Sequence, residues 1–159
     1  MCELRVPQHE TWITGLAADA RRVVTGSNDR TVVVWDRVDG HWSHILKGAA
    51  GQITAVGLHG DVAVAAARDK TLRLWDMVTE AQLACVSPPA RDLVNGVAVD
   101  EHLVVAACTA NVLRVFCRRS GKWVRELHGH AGPVYGVDMQ VSFALSRCCV
   151  YLPSQSWPL

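Results

Sequence analysis

Residues 31–36 read TVVVWD, and forty residues later 71–76 read TLRLWD. The Trp35 position recurs at Trp75 and then at Phe116, in steps of 40 and 41 residues. Other landmarks keep the same interval. The apolar residue that opens ITGL, ITAV, VNGV and VYGV is Ile13, Ile53, Val94 and Val134, in steps of 40, 41 and 40. His9 falls on Ala49, Ala90 and His130 by the same count. Unrelated residues sharing one interval mean that the chain is written as copies of a single unit. A unit that short cannot bury its own apolar face, so the chain must stack neighbouring copies.

Each copy reads as four short β-segments. The first gives ITGLAAD, RRVVTGSN, TVVVWD and HWSHILKG; the second QITAVGLHG, DVAVAAARD, TLRLWD and AQLACVS; the third LVNGVAVD, HLVVAAC, NVLRVF and KWVRELHG. β-Branched and aromatic residues fill them, and Asp, Gly, Asn and Pro punctuate them. The inner segments are apolar throughout, as expected of strands covered on both faces. KWVREL instead alternates, with Trp123, Arg125 and Leu127 on one face, and so reads as an outer, half-solvated strand. No segment keeps a helical period.

With a Trp-Asp ending one strand, a Gly-His opening the next unit, and a period of 40 to 41 residues, the chain resembles the WD-repeat family over roughly residues 1 to 146. The resemblance implies an all-β fold, a partial β-propeller of four-stranded antiparallel blades forming an open arc. Blades are expected at about 10–48, 50–89 and 91–130, with the start of a fourth at 131–146 and a divergent tail at 147–159. Residues 1–9 fall in register with an outer strand, so the chain opens within a blade. In the tail, Val150, Leu152 and Ser156 stand where an Asp, a Thr and a Trp belong, and Pro153 and Pro158 oppose an interior strand.

In this family the Gly-His histidine, a hydroxyl on the second strand, the Asp of the next turn and the motif Trp form a buried hydrogen-bond chain. A buried indole N–H and a buried carboxylate are costly unless paired. The resemblance places His9, Thr25 or Ser27, Asp29 and Trp35 in that chain. The second repeat keeps Asp69 and Trp75 but has Ala49, Ala65 and Ala67, so Asp69 must find another partner, such as a turn amide. The third has Ala90, Ala106, Cys108, Ala110 and Phe116, every polar member having gone together. These residues read as scaffold.

Other chemistry is poorly served. A formal net charge of +1 gives no field for nucleic acid or an anionic membrane, and no apolar run reaches a membrane span. The six cysteines form no C-x-x-C pair and read as reduced thiols, which with the missing signal peptide suits cytoplasm or nucleus. His41 and His44, or His128 and His130, lack further ligands at metal spacing. No phosphate loop or acid–base pair appears, so neither cofactor nor catalysis is expected.

Binding remains. In proteins of this kind, the turns between second and third strands and between fourth and first emerge on one rim. They present Asn28, Arg30, Arg68 and Lys70 from one set, and Trp12, Gln52, Arg91 and Asp92 from the other. Arg30, Arg68, Lys70 and Arg91 make that rim basic, which suits an acidic or phosphorylated peptide. The expectation is a non-enzymatic scaffold binding a partner protein or peptide. Its rival is a substrate-recognition fragment of an F-box type ubiquitin ligase, although no F-box helices appear and WDRV and WDMV lack the x-Arg adaptor pattern. A truncated product with little independent function is a further alternative. An open arc also leaves edges suited to self-association.

Overall fold

The computed structural model describes residues 9–88, 92–142 and 145–149. Its first sheet comprises β1 (Ile13–Ala18), β2 (Arg22–Ser27), β3 (Val32–Asp36) and β4 (Trp42–Leu46). The second comprises β5 (Ile53–His59), β6 (Val62–Ala67), β7 (Leu72–Asp76) and β8 (Gln82–Val86). The third comprises β9 (Val94–Val99), β10 (Leu103–Cys108), β11 (Leu113–Cys117) and β12 (Trp123–Leu127). A two-stranded sheet follows, β13 (Asp138–Ser142) and β14 (Leu145–Cys149), so the expected boundary at 146 lies within a strand. Strands in each sheet pair antiparallel in chain order. The fold is all-β, a propeller arc whose sheets do not close.

Short turns dictate that meander. The Asp of each Trp-Asp folds back on its own loop: Asp36 Oδ1 accepts from the amides of Val38 and Asp39, and Asp76 Oδ1 from those of Val78 and Thr79. Such Asx turns reverse the chain between the third and fourth strands. Asp19 and Asp100 do the same between first and second strands, each accepting two amides.

The core lies between blades rather than within them. Val24, Val34 and Leu46 of the first blade pack on Ile53, Val56 and Trp75 of the second. Val64, Leu72 and Leu74 of the second pack on Val94, Val104 and Phe116 of the third. Val105, Leu113 and Val115 then meet Val134. Every residue of β6 is therefore buried, while β12 keeps Trp123 half-exposed. Close approach requires small residues on the second strands, Gly26, Ala66 and Ala107. A Cβ on Gly26 would lie 2.5 Å from Ile53 Cγ2, closer than real Cβ contacts allow.

One device recurs at every junction. The pairing of first and second strands skips one residue in each blade, Thr14, Thr54 and Asn95, as a β-bulge does. Each skipped side chain reaches the following blade. Thr14 Oγ1 donates to the Ile53 carbonyl at 2.7 Å, Thr54 Oγ1 to the Val94 carbonyl at 2.6 Å, and Asn95 Nδ2 to the Val134 carbonyl at 3.1 Å. Thr54→Val, nearly isosteric, should destabilise the chain by roughly 1 kcal/mol or more by removing the donor. Urea unfolding checks this; a midpoint equal to the parent would show that apolar packing alone sets the junction.

Candidate functional site

His9 stands at the centre of the first blade's polar chain. Its Nδ1 lies 2.9 Å from Asp29 Oδ2 and its Nε2 2.8 Å from Thr25 Oγ1, and Trp35 Nε1 donates to the same hydroxyl at 2.8 Å. The hydroxyl in the chain is thus that of Thr25. Ser27, the other candidate, lies one pleat away and bonds Thr11 Oγ1 at 3.1 Å instead. Asp29 also accepts from the Glu10 and Thr31 amides and the Thr31 hydroxyl. Burial raises its pKa, but those hydrogen bonds outweigh burial and leave it lowered.

In the second blade the missing imidazole is replaced by a guanidinium. Arg73 Nη1 lies 2.9 Å from Asp69 Oδ2, the oxygen to which the Ala50 amide also donates at 2.9 Å. The turn amide is the expected partner; Arg73 is an addition. Burial again raises the carboxyl pKa, and Thr71, Ala50 and Arg73 together bring it below the ordinary Asp value. Trp75 is buried against Val56 and Ala65 at the interface with the first blade.

The third blade departs from the sequence reading. Its wiring has not vanished but changed kind. Arg114, only 3% exposed, occupies the repeat position of Arg73 and Val33. Its Nε donates to Glu126 Oε1 at 2.9 Å, and its Nη1 lies 2.7 Å from Asp92 Oδ2. That second contact is an ion pair off the hydrogen-bond line, so Asp92 Oδ2 has no hydrogen-bond partner among the described residues. Burial opposes the charge on Arg114, but Glu126 and Asp92 outweigh it and hold its pKa raised. Burial pushes the neighbouring Cys108 thiol up to about 11, with Arg114 acting partly against it, so the sulfur is a neutral thiol at neutral pH. A signal for this cluster lay in the repeat alignment, where a charged residue replaces Val33 twice in the middle of a β-strand.

Backbone bonds assemble the rim. The Asn28 amide donates to the Trp12 carbonyl at 3.0 Å, Arg68 to Gln52 at 2.7 Å and Thr109 to Leu93 at 3.0 Å. The same bond in each blade ties the turn after the second strand to the segment before the first. Arg30, Lys70 and Asn111 turn that corner with φ of 71°, 66° and 63°. Arg30, Arg68, Lys70 and Gln52 are exposed, and Trp12 is 83% exposed rather than held between blades. Asn28 is partly buried. Asp92, expected on the rim, is partly buried, its Oδ2 2.7 Å from the buried Arg114 guanidinium. Arg91 lies outside the described residues, as does Ala90. Among the described residues, no three of His, Cys, Asp and Glu converge as a metal site.

The family described as WD domain, G-beta repeat matches residues 1–36 and 40–76, and blade geometry extends the same unit through a third copy. The chain belongs to the WD-repeat family. It is 26% identical over 126 residues to myosin heavy chain kinase C of Dictyostelium discoideum, covering 77% of this chain and 16% of that protein. It is 30% identical over 129 residues to U3 small nucleolar RNA-associated protein 12 of Saccharomyces cerevisiae, covering 80% and 11%. With F-box/WD repeat-containing protein 9 of Bos taurus it shares 28% identity over 120 residues, covering 75% and 26%. The chain therefore spans a small part of each of these relatives. Among solved structures, the computationally designed Ika4 protein superposes with a TM-score of 0.74 at 23% identity, covering 91% of this chain and 88% of that one. U3-55K gives 0.75 at 20% identity, covering 82% and 43%. WD repeats in general build protein-interaction scaffolds.

Two predictions follow from the wiring. His9→Ala should destabilise by roughly 1–3 kcal/mol, because it leaves Asp29 and Thr25 without a shared partner. Phe116→Trp should give no gain, since Ala106 offers no hydroxyl. Thermal melts ranking these in reverse would contradict the assignment. Arg114→Ala should cost more than Arg73→Ala, roughly 1–3 kcal/mol, because it removes the buried cation that the partly buried Asp92 and Glu126 share. Asp69 would still keep the Ala50 amide and Thr71. Chemical denaturation of the two variants checks the order.

Proposed function

We propose that this WD-repeat chain is a non-enzymatic scaffold that holds a partner protein or peptide on the rim carrying Trp12, Gln52, Arg30, Arg68 and Lys70. The observation that carries the reading is charge placement. Arg30, Arg68 and Lys70 are exposed along one rim, and among the described residues none of them pairs with a carboxylate. Arg22, Arg73 and Arg114 each have an acidic partner, whereas Arg21, Arg37 and Lys122 are, like the rim cations, exposed and without one among the described residues; what sets Arg30, Arg68 and Lys70 apart is their shared rim. Cations left free in a row suit an acidic or phosphorylated peptide, and the exposed Trp12 supplies an apolar anchor beside them. Conformation supports the same surface, because Arg30 and Lys70 hold left-handed turns that fix where their side chains leave the rim. A cytoplasmic or nuclear setting fits this role.

A second reading has support in the likeness to F-box/WD repeat-containing protein 9, in which the chain serves substrate recognition for a ubiquitin ligase. Both readings place the ligand on the blades; they differ in whether a ligase adaptor joins the complex. Co-purification of such an adaptor with the tagged chain favours the second.

Reversing charge at Arg68 and Lys70 together, Arg68→Glu with Lys70→Glu, should leave the fold intact, since both are exposed beside a polar turn. Capture of acidic and phosphoserine peptides on an array should fall, most at low salt where exposed charges are least screened. Equal capture by parent and double variant would remove the rim from consideration.

A further inference from the structure

The turns between third and fourth strands lie at the end of the blades opposite the rim, and the turn of the third blade differs from the other two in charge. After Cys117 it reads RRSGK, so Ser120 stands between Arg118 and Arg119 on one side and Lys122 on the other. Arg119, Ser120 and Lys122 are exposed. Arg118 is partly buried, its Nη1 donating to the Asp100 carbonyl at 3.0 Å. Among the described residues none of these three cations pairs with a carboxylate. The other exposed serines and threonines among the described residues are Thr11, Thr14, Ser43, Thr79 and Ser87, and each lacks Lys or Arg within two positions. Ser120 alone of that set is a hydroxyl in a cationic setting.

The repeat shows what this position accepts. Counting back 41 and then 40 residues, Ser120 falls on Thr79 and Asp39. In the first blade Asp39 Oδ1 accepts the His41 amide at 2.8 Å; in the third, Ser120 Oγ accepts the Lys122 amide at 3.3 Å. Gly40 and Gly121 follow them in the same left-handed conformation, with φ of 72° and 65°. The chain therefore already holds one anion at this place in the turn, bonded to the same backbone donor.

We propose that Ser120 is a phosphorylation site for a protein kinase that reads basic residues around its serine. The Ser120 oxygen attacks the terminal phosphorus of a nucleoside triphosphate, the P–O bond to the departing diphosphate breaks, and the hydroxyl proton passes to the kinase's base. Kinases choose substrates by charge pattern, and Arg118, Arg119 and Lys122 supply one. The product, with a charge of about −1.5 to −2, takes the place of the Asp39 carboxylate beside the Lys122 amide, and the Arg119 and Lys122 side chains are at hand for charge-assisted hydrogen bonds. Modification thus nearly cancels the charge of a cationic turn without opposing the fold. Exposed turns open locally at far less cost than the whole chain, so the serine can enter a kinase groove while the blade stays folded. None of this depends on the basic rim.

The catalytic fragment of protein kinase C, a kinase of this class, acting on the folded full chain should place phosphate on Ser120, read by peptide mass spectrometry. Ser120→Ala should abolish that signal. Arg119→Ala with Lys122→Ala, both exposed, should lower kcat/KM for the site roughly tenfold or more by removing the charge pattern. Casein kinase 2, which reads acidic surroundings, should leave Ser120 unmodified. Ser120→Asp should keep the parent midpoint in urea, because Asp39 occupies the same turn position in the first blade. A chain without phosphate on Ser120, modification only after heat unfolding, equal rates for parent and double variant, equal modification by casein kinase 2, or a lowered midpoint for Ser120→Asp would each overturn the proposal.

Discussion

Everything in this molecule depends on the contact between one blade and the next. Each four-stranded sheet has two apolar faces and no core of its own, so its stability is borrowed from neighbours in series. The bulged residue of each first strand, Thr14, Thr54 or Asn95, sets the geometry of that contact by bonding a carbonyl on the following blade. Because the carbonyl belongs to the residue just before the next bulge, each junction fixes the register of the one after it. Apolar burial then supplies the energy, and the small residues of the second strands supply the distance.

Polar wiring inside the blades is subordinate to this stacking, and its variation shows how. The first blade joins Trp35, Thr25, His9 and Asp29 in one chain. The second keeps the carboxylate and satisfies it with Arg73 and a backbone amide. The third discards the histidine, hydroxyl and aspartate positions yet buries Arg114 between Asp92 and Glu126. Three solutions serve one requirement, that no buried charge or donor be left alone. Only the local cost differs, since a buried guanidinium with two carboxylates is sensitive to loss of any one of them.

Surface properties follow from the same arrangement. Because the turns after the second strands and the segments before the first strands are tied by one repeated backbone bond, residues far apart in sequence share a rim. Arg30, Arg68 and Lys70 stand exposed on those turns.

Much of this was legible in the chain itself, because a repeat is a pattern in one dimension. The period, the four segments per unit and the outer character of KWVREL follow from spacing and side-chain chemistry, and the place of His9, Asp29 and Trp35 in one polar chain from the resemblance those repeats carry. Choosing Thr25 over Ser27 needed the fold, since the two lie two residues apart and share a face, and only the approach of His9 and Trp35 says which hydroxyl they reach. The fate of Asp92 and the burial of Arg114 needed the fold as well. Repeat alignment compares a position with its equivalents in other blades, whereas Arg114 is stabilised by Asp92 and Glu126, which come from different positions of the unit. Trp12 shows the same limit, because its exposure is set by the rim it stands on and not by its hydrophobicity. Periodicity dictates which residues are alike; only packing in three dimensions decides which unlike residues meet.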